Sequence, residues 1–433
     1  MTPADSTALR RSLDAYDRGD LTGAEPVLNQ IASRYPKNYE ASEALGSLYA
    51  ESGDVARALP FLESAALLAP RQPIAHANLG AAYLKLGRNS DAILELRTAA
   101  TLDPHNRATL SNLGQALLTD KQPADAAKAF AEASQIEPDN WDLRYNWAVA
   151  LLDGGDALKA ANVLAPIPNQ EKQPQIEALL GEIAEKQGKF QDAVEHLQLA
   201  AKVDPSEPNL YFLGLEFLKH WTFEPAIKIF EFGLQRYPQS ERMMLGQGIA
   251  RYAMNDLALA APIFAQLLDR NPESALYADL LGRSCTLMPD MSKGCEKLEG
   301  FAEKHPKNAT VATYAAASIL HRSNHPEDLV VAEKLLDQAI ALDPKLPEAH
   351  FQKGVLDQYQ TLWKQSIPEL EAAVELKPES SKAHYRLALA YSHTGQKDRA
   401  QEEINLQKKY SEQEKKVLDA RLKEVRTFLV TGP

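Results

Sequence analysis

Proline recurs at a fixed interval, and that interval restricts the fold more than any other feature. Pro36, Pro70, Pro104 and Pro138 stand 34 residues apart. Pro205, Pro238, Pro272, Pro306, Pro344 and Pro378 carry the series on, with one interval stretched to 38 between Pro306 and Pro344. A period of this length builds an array in which each unit buries its apolar face only against its neighbours. About twelve units account for the 433 residues.

Between the prolines the pattern is helical. Gly46, Gly80, Gly114, Gly181, Gly214, Gly248 and Gly282 share one place in the unit. Ala58, Ala92, Ala126, Ala160, Ala193, Ala226 and Ala260 share another, twelve residues later. Glycine inside a helix costs roughly 1 kcal/mol relative to alanine, so its recurrence signals a close approach of two helices. Leu62, Leu96, Phe130, Leu197, Phe230 and Phe264, four residues beyond the alanines, extend the same buried face. Each proline stops a second helix, and two residues later a polar residue opens the next: Asn38, Asn106, Asn140, Ser240, Ser274, Asn308 and Ser380. Gly53, Gly87, Gly155, Gly188 and Gly395 sit where a first helix needs a left-handed end. The expected unit is helix, short turn, helix.

The segment YEASEALGSLYAESGDVARALPFLESAALLAP, residues 39–70, resembles a tetratricopeptide repeat. Leu45, Gly46, Tyr49, Gly53, Ala58, Leu62, Ala65 and Pro70 stand at that family's signature positions. The resemblance covers nearly the whole chain. It is most specific in units two to four and six, good in seven and twelve, and weaker in one, five and eight to eleven. It implies an all-α fold: a right-handed α-solenoid, or superhelix, of stacked antiparallel helix pairs whose first helices line a concave groove for peptides or proteins. The sequence divides into a block of about five units at 1–173, a block of about seven at 174–411, and a C-terminal capping helix at 412–433. The first boundary follows APIPNQEKQPQ, where Pro166, Pro168 and Pro174 deny the fifth unit a normal helical ending. The capping segment carries Val417, Leu418, Leu422, Val425 and Phe428 on one helical stripe, as a terminal element with a polar outer face requires.

In the family, the residue two before the small Gly or Ala points into the groove, and here Asn78, Asn112 and Asn146 hold that place. An amide offers a donor and an acceptor together, matching the N–H and C=O of an extended peptide backbone. Packed helices lie roughly 8–10 Å apart and a strand rises about 3.3 Å per residue, so one unit corresponds to about three peptide residues. The arm of O-GlcNAc transferases resembles this, with an asparagine ladder of that kind. Asparagine is also simply common there in the family, and both readings stand. At the other end, Gln352, Lys382 and Arg386 occupy groove positions of units eleven and twelve. They resemble part of the carboxylate clamp of co-chaperone domains, although Thr313 and Ala317 stand where the clamp's first Lys and Asn belong. A Lys and an Arg four apart on a helix are equally an ordinary solvated face. In units seven and eight, Tyr211, Phe212, Leu215, Leu245, Ile249 and Tyr252 would wall an apolar groove suited to an amphipathic helix or tail, or else lie within the core of slightly rotated repeats.

Other chemistries find little support. A net charge of -12 argues against a nucleic-acid partner, whose phosphates call for a basic stripe. No apolar run is long enough for membrane insertion, and the N-terminus lacks the apolar centre of a signal peptide, so the chain reads as cytoplasmic as written and as periplasmic if a signal was removed. No phosphate loop or nucleophile elbow occurs, and no catalytic residue, cofactor or metal is expected. His350 and His384 recur one unit apart and His321 and His325 lie four apart, but neither pair has a third ligand at defined spacing. Cys285 and Cys295 flank the turn of unit nine, either as a disulfide in an oxidising compartment or as small thiols in a cytosolic protein. The expected function is a non-enzymatic scaffold that holds an extended peptide or protein segment in its groove. The alternatives are a regulatory or targeting subunit of a separately encoded enzyme, such as a glycosyltransferase, and an assembly factor of an envelope or secretion complex. Oligomeric state is left open.

Overall fold

The computed structural model describes residues 1–288, 294–295, 297–322 and 325–430, with side chains up to Val417. Twenty-four α-helices and one short 3-10 turn are found among the described residues, and no strand. The chain divides into two compact units, Met1–Lys189 and Phe190–Pro433.

The first unit holds five helix hairpins and one further helix. They are α1 (Pro3–Asp17) with α2 (Leu21–Arg34), α3 (Tyr39–Glu51) with α4 (Val55–Leu68), and α5 (Pro73–Lys85) with α6 (Asn89–Leu102). There follow α7 (Arg107–Thr119) with α8 (Pro123–Ile136), α9 (Trp141–Asp153) with α10 (Ala157–Leu164), and then α11 (Pro174–Lys186). The second unit opens with α12 (Phe190–Val203) and continues as α13 (Glu207–Lys219) with α14 (Phe223–Arg236) and α15 (Glu241–Ala253) with α16 (Leu257–Arg270). Next come α17 (Ala275–Leu287) with α18 (Lys297–Lys304) and α19 (Ala309–Arg322) with α20 (Pro326–Leu342). The last pairs are α21 (Pro347–Tyr359) with α22 (Trp363–Leu376) and α23 (Ser381–His393) with α24 (Lys397–Val430).

The helix ends follow the sequence. The side chains of Asn38, Asn106, Asn140, Ser240, Ser274, Asn308 and Ser380 each accept a hydrogen bond from the backbone N–H three residues on. Such a cap stabilises a helix by about 1 kcal/mol. The packing follows as well. A Cβ added to Gly46 would lie 2.6 Å from Leu62 Cδ2, and one added to Gly114 would lie 2.7 Å from Phe130 Cζ, so the first helix can approach the second only where a side chain is missing. The seven alanines facing this contact are all fully buried. Hairpins without glycine at the turn use other residues in the left-handed region: Lys121 at φ 60, Trp221 at 56, Asn255 at 62 and Thr361 at 61.

Three places depart from the repeat. The prolines shorten α10 to 8 residues, and Asn169 and the turn Gln170–Lys172 lead on to α11. In unit nine α18 is also only 8 residues long, and a Cys285–Cys295 disulfide with Cα atoms 5.5 Å apart ties α17 to the start of that helix. The long proline interval is taken up by α20, which runs 17 residues. At the C-terminus α24 is one helix of 34 residues, so the second helix of the last hairpin runs on without a break into the segment expected to cap the array, as far as Val430. Val417 on it is exposed, while Leu418, Leu422, Val425 and Phe428 lie outside the described side chains.

Candidate peptide groove

Asn78, Asn112 and Asn146 sit on α5, α7 and α9 at the same repeat position, each half-buried. Their side chains are not equivalent. Asn78 Nδ2 donates to Glu43 Oε1 at 2.5 Å and to Ser47 Oγ at 3.1 Å, both on α3. Asn112 and Asn146 make no side-chain hydrogen bond among the described residues, so each keeps two donors and an acceptor to offer.

Asn78 also lines a concavity of about 700 Å³. Its walls come from α1, α3 and α5 alone, which makes it a groove between first helices. Glu43 belongs to this wall. Burial raises its carboxyl above the usual range, opposed by the bonds from Asn78 and Ser47, and its Oε2 is shielded from solvent with no hydrogen-bond partner. Burial also raises the Tyr16 phenol, helped by its hydrogen bond to Glu51 Oε1 at 2.7 Å. Burial, then Glu43 and Glu40, raise that of Tyr39.

The C-terminal constellation is closed by a carboxylate of its own chain. Lys382 Nζ reaches Glu348 Oε1 and Oε2 at 3.1 and 2.9 Å, and Gln352 Nε2 donates to the same Oε1 at 2.8 Å. Arg386 Nη1 donates to Gln358 Oε1 at 3.3 Å. Lys382 also lies 4.5 Å above the Phe351 ring. Thr313 and Ala317 are buried in α19.

None of the six apolar candidates is fully buried. Tyr211, Leu215, Leu245 and Tyr252 are half-buried, whereas Phe212 and Ile249 are exposed at 47% and 36%. Tyr211 packs edge-on to Phe212 with ring centres 5.6 Å apart, and the Arg242 guanidinium lies 4.6 Å over its face. Arg242 is in turn held by Glu207. Leu245 and Tyr252 pack onto the core around Phe264, so this face is a layer over the core with part of it open.

His350, His384 and His321 bridge neighbouring elements. His350 Nδ1 lies 2.7 Å from Glu369 and its Nε2 3.0 Å from the Pro344 carbonyl. His384 repeats this with Glu403 at 2.6 Å and the Pro378 carbonyl at 2.7 Å. His76, not singled out from the sequence, does the same with Glu95 and Pro70. The signal was present: each Glu follows its His by 19 residues. His321 Nε2 lies 3.1 Å from the Met288 carbonyl, and His325 stands at the start of α20.

No helix among the described residues is long and apolar enough to cross a membrane. Tetratricopeptide repeat profiles match residues 49–117 and 117–183, residues 9–73, 211–275 and 245–286, and residues 369–402. A comparison with curated proteins gives no match. Among solved structures the chain is similar to Naa15/Naa10 bound to HypK-THB, at 16% identity over 93% of this chain and 68% of that one, with a TM-score of 0.39. It is similar to PilF of Pseudomonas aeruginosa at 19% identity over 48% and 94%, with a TM-score of 0.38. It is likewise similar to YrrB, a TPR protein with an unusual peptide-binding site, at 18% identity over 42% and 94%, also at 0.38. Arrays of this repeat are in general non-catalytic scaffolds for protein interaction. With its profiles matched in both units and its hairpins, caps and glycine contacts in place, the chain belongs to the tetratricopeptide repeat family.

Proposed function

We propose that the chain binds an extended segment of a protein partner along the face built by Asn78, Asn112 and Asn146. The observation that carries this reading is the pair of amides at Asn112 and Asn146, which have no partner among the described residues. They hold the repeat position that, at Asn78, borders a groove walled only by first helices. A side-chain amide pairs with a backbone N–H and C=O whatever side chains the segment carries, so the grip is on the main chain. The scaffold then acts by placing that segment. An enzyme-targeting subunit and an envelope assembly factor would both use the groove in this way. Of the two compartments expected from the sequence, the Cys285–Cys295 bond favours the oxidising one. The test is to select binding peptides on the full chain from a displayed library and then N-methylate their peptide bonds one at a time. Loss at the bonds opposite Asn112 and Asn146 is expected. Selected peptides that bind equally well to the Asn78→Ala, Asn112→Ala, Asn146→Ala triple variant would sink the reading.

A further inference from the structure

The concavity between α1, α3 and α5 has a chemistry that backbone recognition does not explain. Its walls carry four carboxylates, Asp17, Glu40, Glu43 and Glu51, against one cation, Lys85. Glu51 accepts the Tyr16 hydroxyl, whereas Asp17 and Glu40 have no hydrogen bond among the described residues. Glu43 Oε2 has no partner although it is shut off from water. At 2.5 Å from a carboxylate only the Nδ2 side of the Asn78 amide can face Glu43, which leaves Asn78 Oδ1 as one more acceptor without a donor. Tyr16 and Tyr39 supply aromatic faces to the same wall. Acceptors therefore exceed donors at a site that also offers rings, and Asp17 and Glu40 are exposed on its lining to an incoming group. A group with several donors and a positive charge meets all of these conditions, and neither a carboxylate nor a neutral apolar side chain does.

We propose that this concavity receives a cationic side chain, an arginine guanidinium or a lysine ammonium, from the extended segment that passes Asn78. The inference rests on the reading of the Asn face as a peptide groove and adds to it a side-chain preference at one end. The ladder holds any backbone, and the acidic concavity sets where along the segment a basic residue must fall. With one unit per about three peptide residues, that residue lies about three positions from the one held at Asn112.

The probes are acetylated and amidated alanine heptapeptides with arginine, citrulline or glutamate at the centre, titrated into the full chain by calorimetry. Citrulline keeps the shape and loses the charge. The arginine peptide should bind roughly ten- to a hundredfold more tightly than the citrulline peptide, and added salt should shrink the difference. Glu43→Gln, and separately the Asp17→Asn, Glu40→Gln double variant, should bring arginine down to the citrulline level and leave citrulline unchanged. The double variant touches no internal hydrogen bond, so its result does not depend on the packing of Glu43. No binding of the arginine peptide up to millimolar concentration overturns the proposal. If arginine and citrulline bind equally and both weaken on Asn112→Ala, the concavity falls and the ladder stands. If the arginine preference persists while Asn112→Ala and Asn146→Ala change nothing, the concavity stands and the ladder falls.

Discussion

The groove positions of the first unit and those of α21 and α23 in the second carry polar side chains of similar reach and treat them in opposite ways. On α7 and α9 the amides of Asn112 and Asn146 are left without partners. On α21 and α23 Gln352 and Lys382 converge on Glu348, and Arg386 donates to Gln358. Whether a polar side chain at such a position is open to a partner thus depends on what the adjacent helix leaves unsatisfied as well as on residue type. An amide to which the adjacent helix gives no partner is available to a ligand, and a lysine paired with a glutamate one unit away is not.

The sharpest way to break this contrast is the Asn112→Ala, Asn146→Ala double variant. It removes up to two hydrogen bonds at each position, worth about 0.5–1.5 kcal/mol net apiece, so affinity for a library-selected peptide should fall at least roughly thirtyfold. Circular dichroism should be unchanged, because neither amide supports the fold. A fall of less than threefold would place binding elsewhere.

The second test addresses the balance of charge in α21. Asp357 is 5% exposed, and burial first, with Glu369, Glu333 and Asp337 adding to it and Lys353 opposing it, pushes its carboxyl up to about 6. A carboxyl whose folded value is raised contributes stability below its unfolded value, and that contribution is lost as pH rises through about 6. Asp357→Asn should therefore stabilise the protein by about 1–3 kcal/mol at pH 7.5 and by little at pH 4. Denaturant melts at the two pH values read this directly, and equal effects at both would refute the sign.

Smaller is the effect expected from Glu348→Gln, which frees Lys382. Because Lys382 is 57% exposed at its side chain, the pair is worth only about 0.2–1 kcal/mol, and affinity for a peptide ending in a free carboxylate should rise roughly two- to fivefold over its amidated form. Indifference to amidation in this variant would remove the C-terminal constellation as a carboxylate site. Smallest of all, Asn78→Ala alone should weaken peptide binding less than about threefold, because its donors already serve Glu43 and Ser47. A loss matching that of Asn112→Ala would show that the amide turns to the peptide on binding.

The parts of the fold set by local rules were legible in the sequence. The seven Asn and Ser caps two residues past a proline, glycines crossed by a leucine side chain or a phenylalanine ring, and alanines at the helix contacts depend only on position in the repeat, and these were found in place. What could not be read was pairing between first helices one unit apart. Asn78 with Glu43 and Lys382 with Glu348 are each some 35 residues apart in sequence, and nothing in the repeat says which rotamer each long side chain adopts. The histidine and glutamate pairs lie between these cases. Their spacing is fixed, but three repeats among the described residues show them, too few to stand out against the helical background.

The left-handed residues at the hairpin turns have a consequence for how this chain can vary. Where glycine holds the turn, the conformation is free of steric cost, whereas a side chain there costs on the order of 1 kcal/mol. Lys121, Trp221, Asn255 and Thr361 bear that cost at four turns, most severely at the β-branched Thr361. None of the four is among the groove residues. The array thus holds headroom in a set of interchangeable places: a lineage under pressure for durability can substitute glycine there one turn at a time, and a lineage changing its partner can lose stability in the groove against that reserve.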